Sequence, residues 1–177
     1  MVPSDCKAFI QAAIDDVNHM EVIFQTTIND RKRFQKEINI ERLENQQLLF
    51  SIKHIQYMMT SSLGVKLGGI HQLVSLQGCM EQALHTDYDR HCALSRQCYG
   101  IIFAIMDNTK LYGMIGNKKT LFSFKSGSVF IFRGDFIHAG ADYAVDNVRL
   151  HMYFDCSRVG GSCPREHNKT YLVTHCN

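Results

Sequence analysis

From Val148 to Phe154 apolar and polar side chains alternate without a break, with Val148, Leu150, Met152 and Phe154 set against Arg149, His151 and Tyr153. Successive side chains of an extended strand point to opposite faces, so one face here is wholly apolar and the other carries a cation, an imidazole and a phenol. The apolar face needs a packed layer against it. The polar face cannot be buried against hydrocarbon without large cost, so it must look into an interior that holds water or a ligand. Whatever fold the chain adopts has to supply both surroundings to one strand.

The rest of the chain divides by periodicity. From about Gly68 short apolar runs alternate with turn signals: Ile70–Leu76, Ile101–Met106, Leu121–Phe124, Val129–Phe132 and Val148–Phe154, punctuated by Gly116-Asn117, Ser126-Gly127 and Gly134-Asp135. Many short strands at this spacing predict a sandwich or barrel, and a jelly roll suits their number. Residues 1–60 read instead as helix. Pro3-Ser4-Asp5 and Asn29-Asp30 offer caps, Ile10, Ile14 and Val17 recur at helical spacing, and Leu48, Ile52, Ile55 and Met59 form a second one-sided stripe. Each stripe is core-facing, because neither helix is apolar all round. With no linker-like stretch and no internal repeat, the 177 residues form one α+β domain. Residues 1–65 give helical support packed on one sheet, 68–158 the jelly-roll core, and 159–177 a C-terminal tail.

Composition narrows the setting. A net charge of +2 announces no polyanion partner. Seven cysteines, an odd number, cannot all pair within the chain, and Met1-Val-Pro-Ser-Asp does not open like a secretory leader. Free buried thiols in a reducing cytoplasmic or nuclear compartment are the expectation, and no apolar run is long enough to span a bilayer. The sequon Asn168-Lys-Thr170 and the tripeptide Arg133-Gly-Asp135 then carry no function.

His85-Thr-Asp87 stands fifty residues before His138, and Arg149 follows eleven positions after that. His85 and Asp87 are two apart, so at the end of an extended strand both point the same way. His138 closes a second short strand, Phe136-Ile-His138, after the Gly134-Asp135 turn. Two imidazoles and one carboxylate can take one face of an octahedral metal and leave three positions open, a set suited to Fe(II) or Mn(II). No cysteine belongs to it, unlike a closed structural zinc site. The open positions would accept a bidentate 2-oxoacid and then dioxygen. Arg149 faces inward by the alternation described above and offers a planar fork for the acid's distal carboxylate. His151, on the same face, could add a second donor to that carboxylate, and Tyr99 is a weaker candidate for the same task.

The stretch Gln82-Ala-Leu-His85-Thr-Asp87, with Gly127-Ser-Val-Phe-Ile-Phe-Arg-Gly-Asp-Phe-Ile-His138-Ala-Gly, resembles the Fe(II)/2-oxoglutarate-dependent dioxygenase superfamily, nearest to its prolyl-hydroxylase and phytanoyl-CoA-hydroxylase-like branches. The resemblance covers roughly residues 70–156. It implies a double-stranded β-helix, a cupin-like variant of the jelly roll. It also implies oxidative decarboxylation of 2-oxoglutarate to succinate, coupled to hydroxylation or hydroxylative demethylation of a substrate. His85, Asp87 and His138 match the iron ligands and Arg149 the 2-oxoglutarate anchor. Where the family often places a small hydroxyl residue two after the arginine, this chain has His151.

Other readings compete with this one. A cupin-type roll could use the same ligands as an isomerase or a small-molecule binder without 2-oxoglutarate, and the helical half could serve as a protein-interaction platform. Cys163, His167, His175 and Cys176 fit no zinc spacing well. His91-Cys92 reads as a solvated loop pair, while Asp89 and Arg90 fall where a site mouth would be. Arg31-Lys-Arg33 with Lys36 reads as the solvated face of a helix start, without the interleaved aromatics of a single-strand platform. A protein side chain or small molecule is therefore favoured as substrate over nucleic acid. Homo-oligomerisation is left open.

Overall fold

The computed structural model describes residues 4–23, 31–156 and 171–173. Helix α1 spans Ser4–Asp15, and a short strand β1 (Glu21–Val22) pairs with β2 (Arg33–Glu37). Helix α2 (Gln46–Leu63) starts where the Asn45 side chain accepts from the Leu48 N–H, and stops at Gly64, whose φ of 65° suits a residue without a Cβ. Its buried residues are Leu48, Ile52, Ile55 and Met59, the stripe expected from the sequence.

The first sixty residues are thus not all helix. Strand β2 lies between the helices, and the cap of α2 is Asn45, while Asn29-Asp30 falls outside the described residues. The polarity of β2 is inverted, which hides it. Arg33 and Gln35 are buried on its inner face. The Arg33 guanidinium donates to the carbonyls of Met80 and Ala141 (2.6 Å to Ala141) and to Ser75 Oγ (3.1 Å), so it fastens the sheet and is no solvated helix cation.

Nine further strands follow. They are β3 (Val65–Ser75), β4 (His85–Thr86), β5 (Tyr99–Ala104), β6 (Thr109–Ile115), β7 (Lys118–Phe124), β8 (Val129–Arg133), β9 (His138–Gly140), β10 (Asn147–Cys156) and β11 (Tyr171–Leu172). All pair antiparallel, in two sheets of order β1-β2-β3-β10-β5-β8 and β11-β4-β9-β6-β7. Each sheet draws its neighbours from distant parts of the chain, as in a jelly roll. Strand β6 escaped the sequence reading because Lys110 and Tyr112 interrupt its apolar residues. The expected strand over Phe136-Ile-His138 begins only at His138, since Phe136 N–H closes a turn onto Arg133 O. The tail contributes β11, which pairs Leu172 with His85.

Strand β10 sits at the centre of the larger sheet, between β3 and β5. Val148, Leu150, Met152 and Phe154 are fully buried in one cluster with Leu48, Ile52 and Met59, so the helices cover the outer face of that sheet. Burying each such side chain stabilises the fold by roughly 1.5–3 kcal/mol. On the inner face Ile102, Leu111 and Phe132, from both sheets, pack together. The result is an antiparallel two-sheet sandwich with helices on one side. No described helix is long and apolar enough to cross a membrane.

Candidate metal centre

His85 opens β4 and His138 opens β9, and the two are directly paired in register, their ring centroids 4.5 Å apart. Asp87 follows one residue beyond β4. The three side chains are 4%, 3% and 2% exposed in the order His85, Asp87, His138, and one donor atom from each lies within 4.8 Å of the others. The register makes this cluster: a slip of one residue would turn His138 to the opposite face.

Both rings are anchored by the backbone. His85 Nδ1 lies 2.8 Å from Ala83 O and His138 Nδ1 3.0 Å from Phe136 O. An imidazole that donates through Nδ1 offers the Nε2 lone pair to a cation, and the carbonyl fixes both tautomer and ring plane. His138 Nε2 is 3.6 Å from Asp87 Oδ1, while Asp87 Oδ2 is 3.1 Å from His151 Nε2. That second pair is close but misaligned, so Asp87 Oδ2 and His151 Nε2 are both buried without a hydrogen bond. Orphaned atoms of this kind cost roughly 1–3 kcal/mol each. A divalent cation among the three donors would compensate the Asp87 carboxylate, so the residues fit a metal.

The protonation states agree. Burial, reinforced by His138, pushes the His85 imidazole down to about 3 against a partial opposing pull from Asp87. Burial likewise lowers His138, with Asp87 opposing. Burial works to raise Asp87, but His151, His138 and His85 together hold its carboxyl below the ordinary range. At neutral pH the cluster is therefore two neutral imidazoles and a carboxylate, the state a metal requires of its ligands.

Gly100, at the start of β5, makes room for the carboxylate. A Cβ there would stand 2.9 Å from Asp87 Oδ2 and 2.4 Å from the Phe132 ring. The sequence signals this only as a glycine entering an apolar run.

Arg149 lies on the inner face of β10, 4% exposed. Its Nη1 donates to Ser75 Oγ (3.0 Å) and Asn147 Oδ1 (3.4 Å), and the guanidinium lies 5.4 Å from the Tyr143 ring centroid. Among the described residues no carboxylate lies within salt-bridge distance of it. Ser75, Asn147 and Tyr143 were not anticipated from the sequence; Ser75 was hidden at the polar end of an apolar strand.

The two further candidates for the cosubstrate, His151 and Tyr99, lie on opposite faces of the larger sheet. His151 shares the inner face with Arg149 and points Nε2 at Asp87. Tyr99 pairs with Phe154 and packs with the helix-facing cluster, on the outer side of the larger sheet. Strand parity decides this: Tyr99 is one residue from the inward-facing Gly100. Asp89 accepts from the His91 N–H within its own turn, and Arg90 is exposed. The group of Cys163, His167, His175 and Cys176 and the sequon lie outside the described residues.

No protein-family model matches the sequence, and no curated protein matches it. Solved structures do match in fold. A prolyl-4-hydroxylase of Pseudomonas putida is 12% identical, with a TM-score of 0.66 over 87% of each chain. HygX of Streptomyces hygroscopicus, solved with nickel and 2-oxoglutarate bound, is 7% identical with a TM-score of 0.59, covering 88% of this chain and 80% of its own. A prolyl hydroxylase of Trichoplax adhaerens, solved with a peptide fragment of the hypoxia inducible factor oxygen degradation domain, is 12% identical with a TM-score of 0.59, over 86% and 79%. At these identities what is shared is architecture: the chain has the fold of the 2-oxoglutarate-dependent enzymes that its H-x-D and distal-histidine motifs resemble.

Proposed function

We propose that the protein is a non-heme Fe(II)- and 2-oxoglutarate-dependent dioxygenase whose two sheets form a double-stranded β-helix. The observation that carries this reading is a buried His85, Asp87 and His138 cluster in the same interior as Arg149, a buried guanidinium with only neutral hydrogen-bond partners among the described residues. Support comes from neighbours of the same fold, one of which holds nickel and 2-oxoglutarate.

In this reading His85 and His138 give Nε2 and Asp87 gives a carboxylate oxygen to the iron. The bound iron supplies a site where dioxygen is reduced as 2-oxoglutarate is oxidised. The overall balance is R–H, dioxygen and 2-oxoglutarate to R–OH, carbon dioxide and succinate, so one oxygen atom enters each of the two oxidised products. Ala83 O and Phe136 O keep the imidazoles oriented. Arg149 sits two residues before His151, about 7 Å along the strand, where it can pair the distal carboxylate of the cosubstrate while Ser75 and Asn147 hold the guanidinium in place. A buried cation of this kind is costly until an anion joins it. The substrate is a protein side chain or a small molecule bearing the C–H bond.

Calorimetric titration of anaerobic, Mn(II)-loaded protein with 2-oxoglutarate tests the reading. Wild type binds it, Arg149→Ala does not, and His138→Ala abolishes iron-dependent succinate formation while the circular dichroism spectrum persists. Metal binding with no 2-oxoglutarate heat in wild type would overturn the cosubstrate assignment and favour a cupin-type metal binder. Full 2-oxoglutarate turnover by His138→Ala would overturn the ligand set.

A further inference from the structure

A cavity of about 440 Å³ lies between β8 and the turn that joins β6 to β7, within the ~300–1,000 Å³ range of small-ligand pockets. His85, Asp87 and His138 do not line it, and it meets the proposed metal site through the Phe132 and Phe136 rings beside His138. Its walls include Phe122, Phe130, Phe132 and Phe136, with Ile115 at the lip. The rings form a continuous path to a metal ligand. Centroids are 5.2 Å apart for Phe122 and Phe130 and 5.8 Å for Phe130 and Phe132; Phe132 is then 4.8 Å from His138. Phe136 stacks on the same imidazole at 6.1 Å and 8°.

Register explains why this cavity belongs to the metal end of the sandwich. Gly113 of β6 pairs with His138, and Phe132 of β8 pairs with Gly100, the glycine against Asp87. Gly113 also leaves the space the rings occupy: a Cβ there would come within 2.3 Å of Phe136 and 3.0 Å of Phe122.

The chemistry of the lining is one-sided. The charged side chains that line it are Arg133 and Asp135, and they neutralise each other through two hydrogen bonds of 3.0 and 2.9 Å. Arg96 also reaches Asp135, at 3.3 Å. The rest of the side-chain lining is phenylalanine rings with Met114, Ile115, Ile131 and Ile137, which bind hydrocarbon well and leave an ion or an unpaired hydrogen-bonding group desolvated without compensation.

We propose that this cavity is the substrate site and that the group delivered to the metal centre is uncharged and hydrocarbon-rich, aryl or branched alkyl. The inference rests on the dioxygenase reading and adds the substrate class to it. Apolar walls hold such a group by contact area and keep water from the C–H bond that is to be oxidised.

The test uses ¹⁹F relaxation of 4-fluorotoluene on Mn(II)-loaded protein with saturating 2-oxoglutarate, so that Arg149 is occupied. The expected result is saturable relaxation enhancement, absent with Zn(II), at least about ten-fold above that of 4-fluorobenzoate and 4-fluorobenzylammonium. Ile115→Trp, which adds bulk at an exposed lip, and Phe130→Leu, which removes a ring, each cut the enhancement several-fold while the Mn(II) and 2-oxoglutarate titrations stay unchanged. The amide of N-acetyl-4-fluorophenylalanine distinguishes sources: tighter binding than 4-fluorotoluene assigns the group to a polypeptide side chain, weaker binding to a free small molecule. Equal relaxation of charged and neutral probes, no relaxation in protein that binds both metal and 2-oxoglutarate, or indifference to both substitutions would overturn the proposal. Failure to bind Mn(II) would instead reject the dioxygenase reading, and saturation transfer to 4-fluorotoluene in metal-free protein would still report on the cavity.

Discussion

Gly100→Ala puts the smallest possible load on the proposed metal site. The added methyl would start 2.4 Å from the Phe132 ring and 2.9 Å from Asp87 Oδ2, both well inside van der Waals contact. Phe132 is 6% exposed and enclosed by other rings, and Asp87 is 3% exposed, so neither can swing into solvent. Overpacking of this kind costs about 1–3 kcal/mol, or a fall in Tm of roughly 2–4 °C per kcal/mol for a chain of this length. The second effect is on the ligand: moving an oriented carboxylate typically lowers metal affinity about 10–100-fold. At a Mn(II) concentration far above Kd, that loss removes about 1.4–2.7 kcal/mol of metal-linked stabilisation. Thermal melts of wild type and variant, each with and without Mn(II), separate the two effects. The expected result is a lower metal-free Tm and a smaller Mn(II)-induced rise. If the metal-free Tm falls and the Mn(II) increment is unchanged, the glycine serves only Phe132 and the link to Asp87 is refuted.

Arg149→Met should leave the cosubstrate-free protein as stable as wild type or more so, because an apolar chain replaces a buried charge, while 2-oxoglutarate binding disappears in calorimetry; a large fall in Tm would mean the guanidinium is structural. His151→Phe keeps a ring against Tyr153, now 4.2 Å away between centroids, but removes the nitrogen facing Asp87. Mn(II) affinity should drop about ten-fold with little further change in 2-oxoglutarate affinity, and the reverse pattern would make His151 a cosubstrate donor. His85 is held at about 3 against an ordinary 6.5, so between those values the unfolded chain binds more protons than the folded one. Metal-free stability is therefore full above about pH 6.5 and falls as pH drops through that window, with His138 acting in the same direction. Urea midpoints at pH 7.5 and 5.5 check this; equal midpoints would show that the rings are not held neutral. Arg33→Met strips the donor from the buried Ala141 carbonyl, at about 1–3 kcal/mol for a buried group left unpaired, while Ser75 Oγ keeps its bond from Arg149. A denaturation midpoint equal to wild type would return Arg33 to the surface.

What the sequence disclosed and what it concealed follow one rule. Periodicity reports a side chain's face only when that face has ordinary polarity. Strand β10 was legible because its outer face is apolar and meets helices, and α2 because Leu48, Ile52, Ile55 and Met59 all meet the same sheet. Strand β2 broke the rule. Its inner face carries Arg33 and Gln35, so a buried strand looks like a charged surface. Local order also fixes parity but not destination: His151 was placed correctly on the inner face, yet only the packing of one sheet on the other brings Asp87, just beyond β4, to a ring on β10. The parity of Tyr99 was hidden, because the apolar run begins only at Ile101 and the Gly100 between them has no side chain for alternation to count. The cavity was invisible for a related reason. Phe122, Phe130, Phe132 and Phe136 come from two sheets and a turn, and in the sequence each is one more core residue. Only the register of β6 on β9 and of β8 on β5 lines them up beside His138. His85 and Asp87 are a short-range pattern that strand geometry reads directly, whereas the addition of His138 and the walls of the proposed substrate cavity both arise from sheet pairing, and in the proposed reading it is those walls that select what is oxidised.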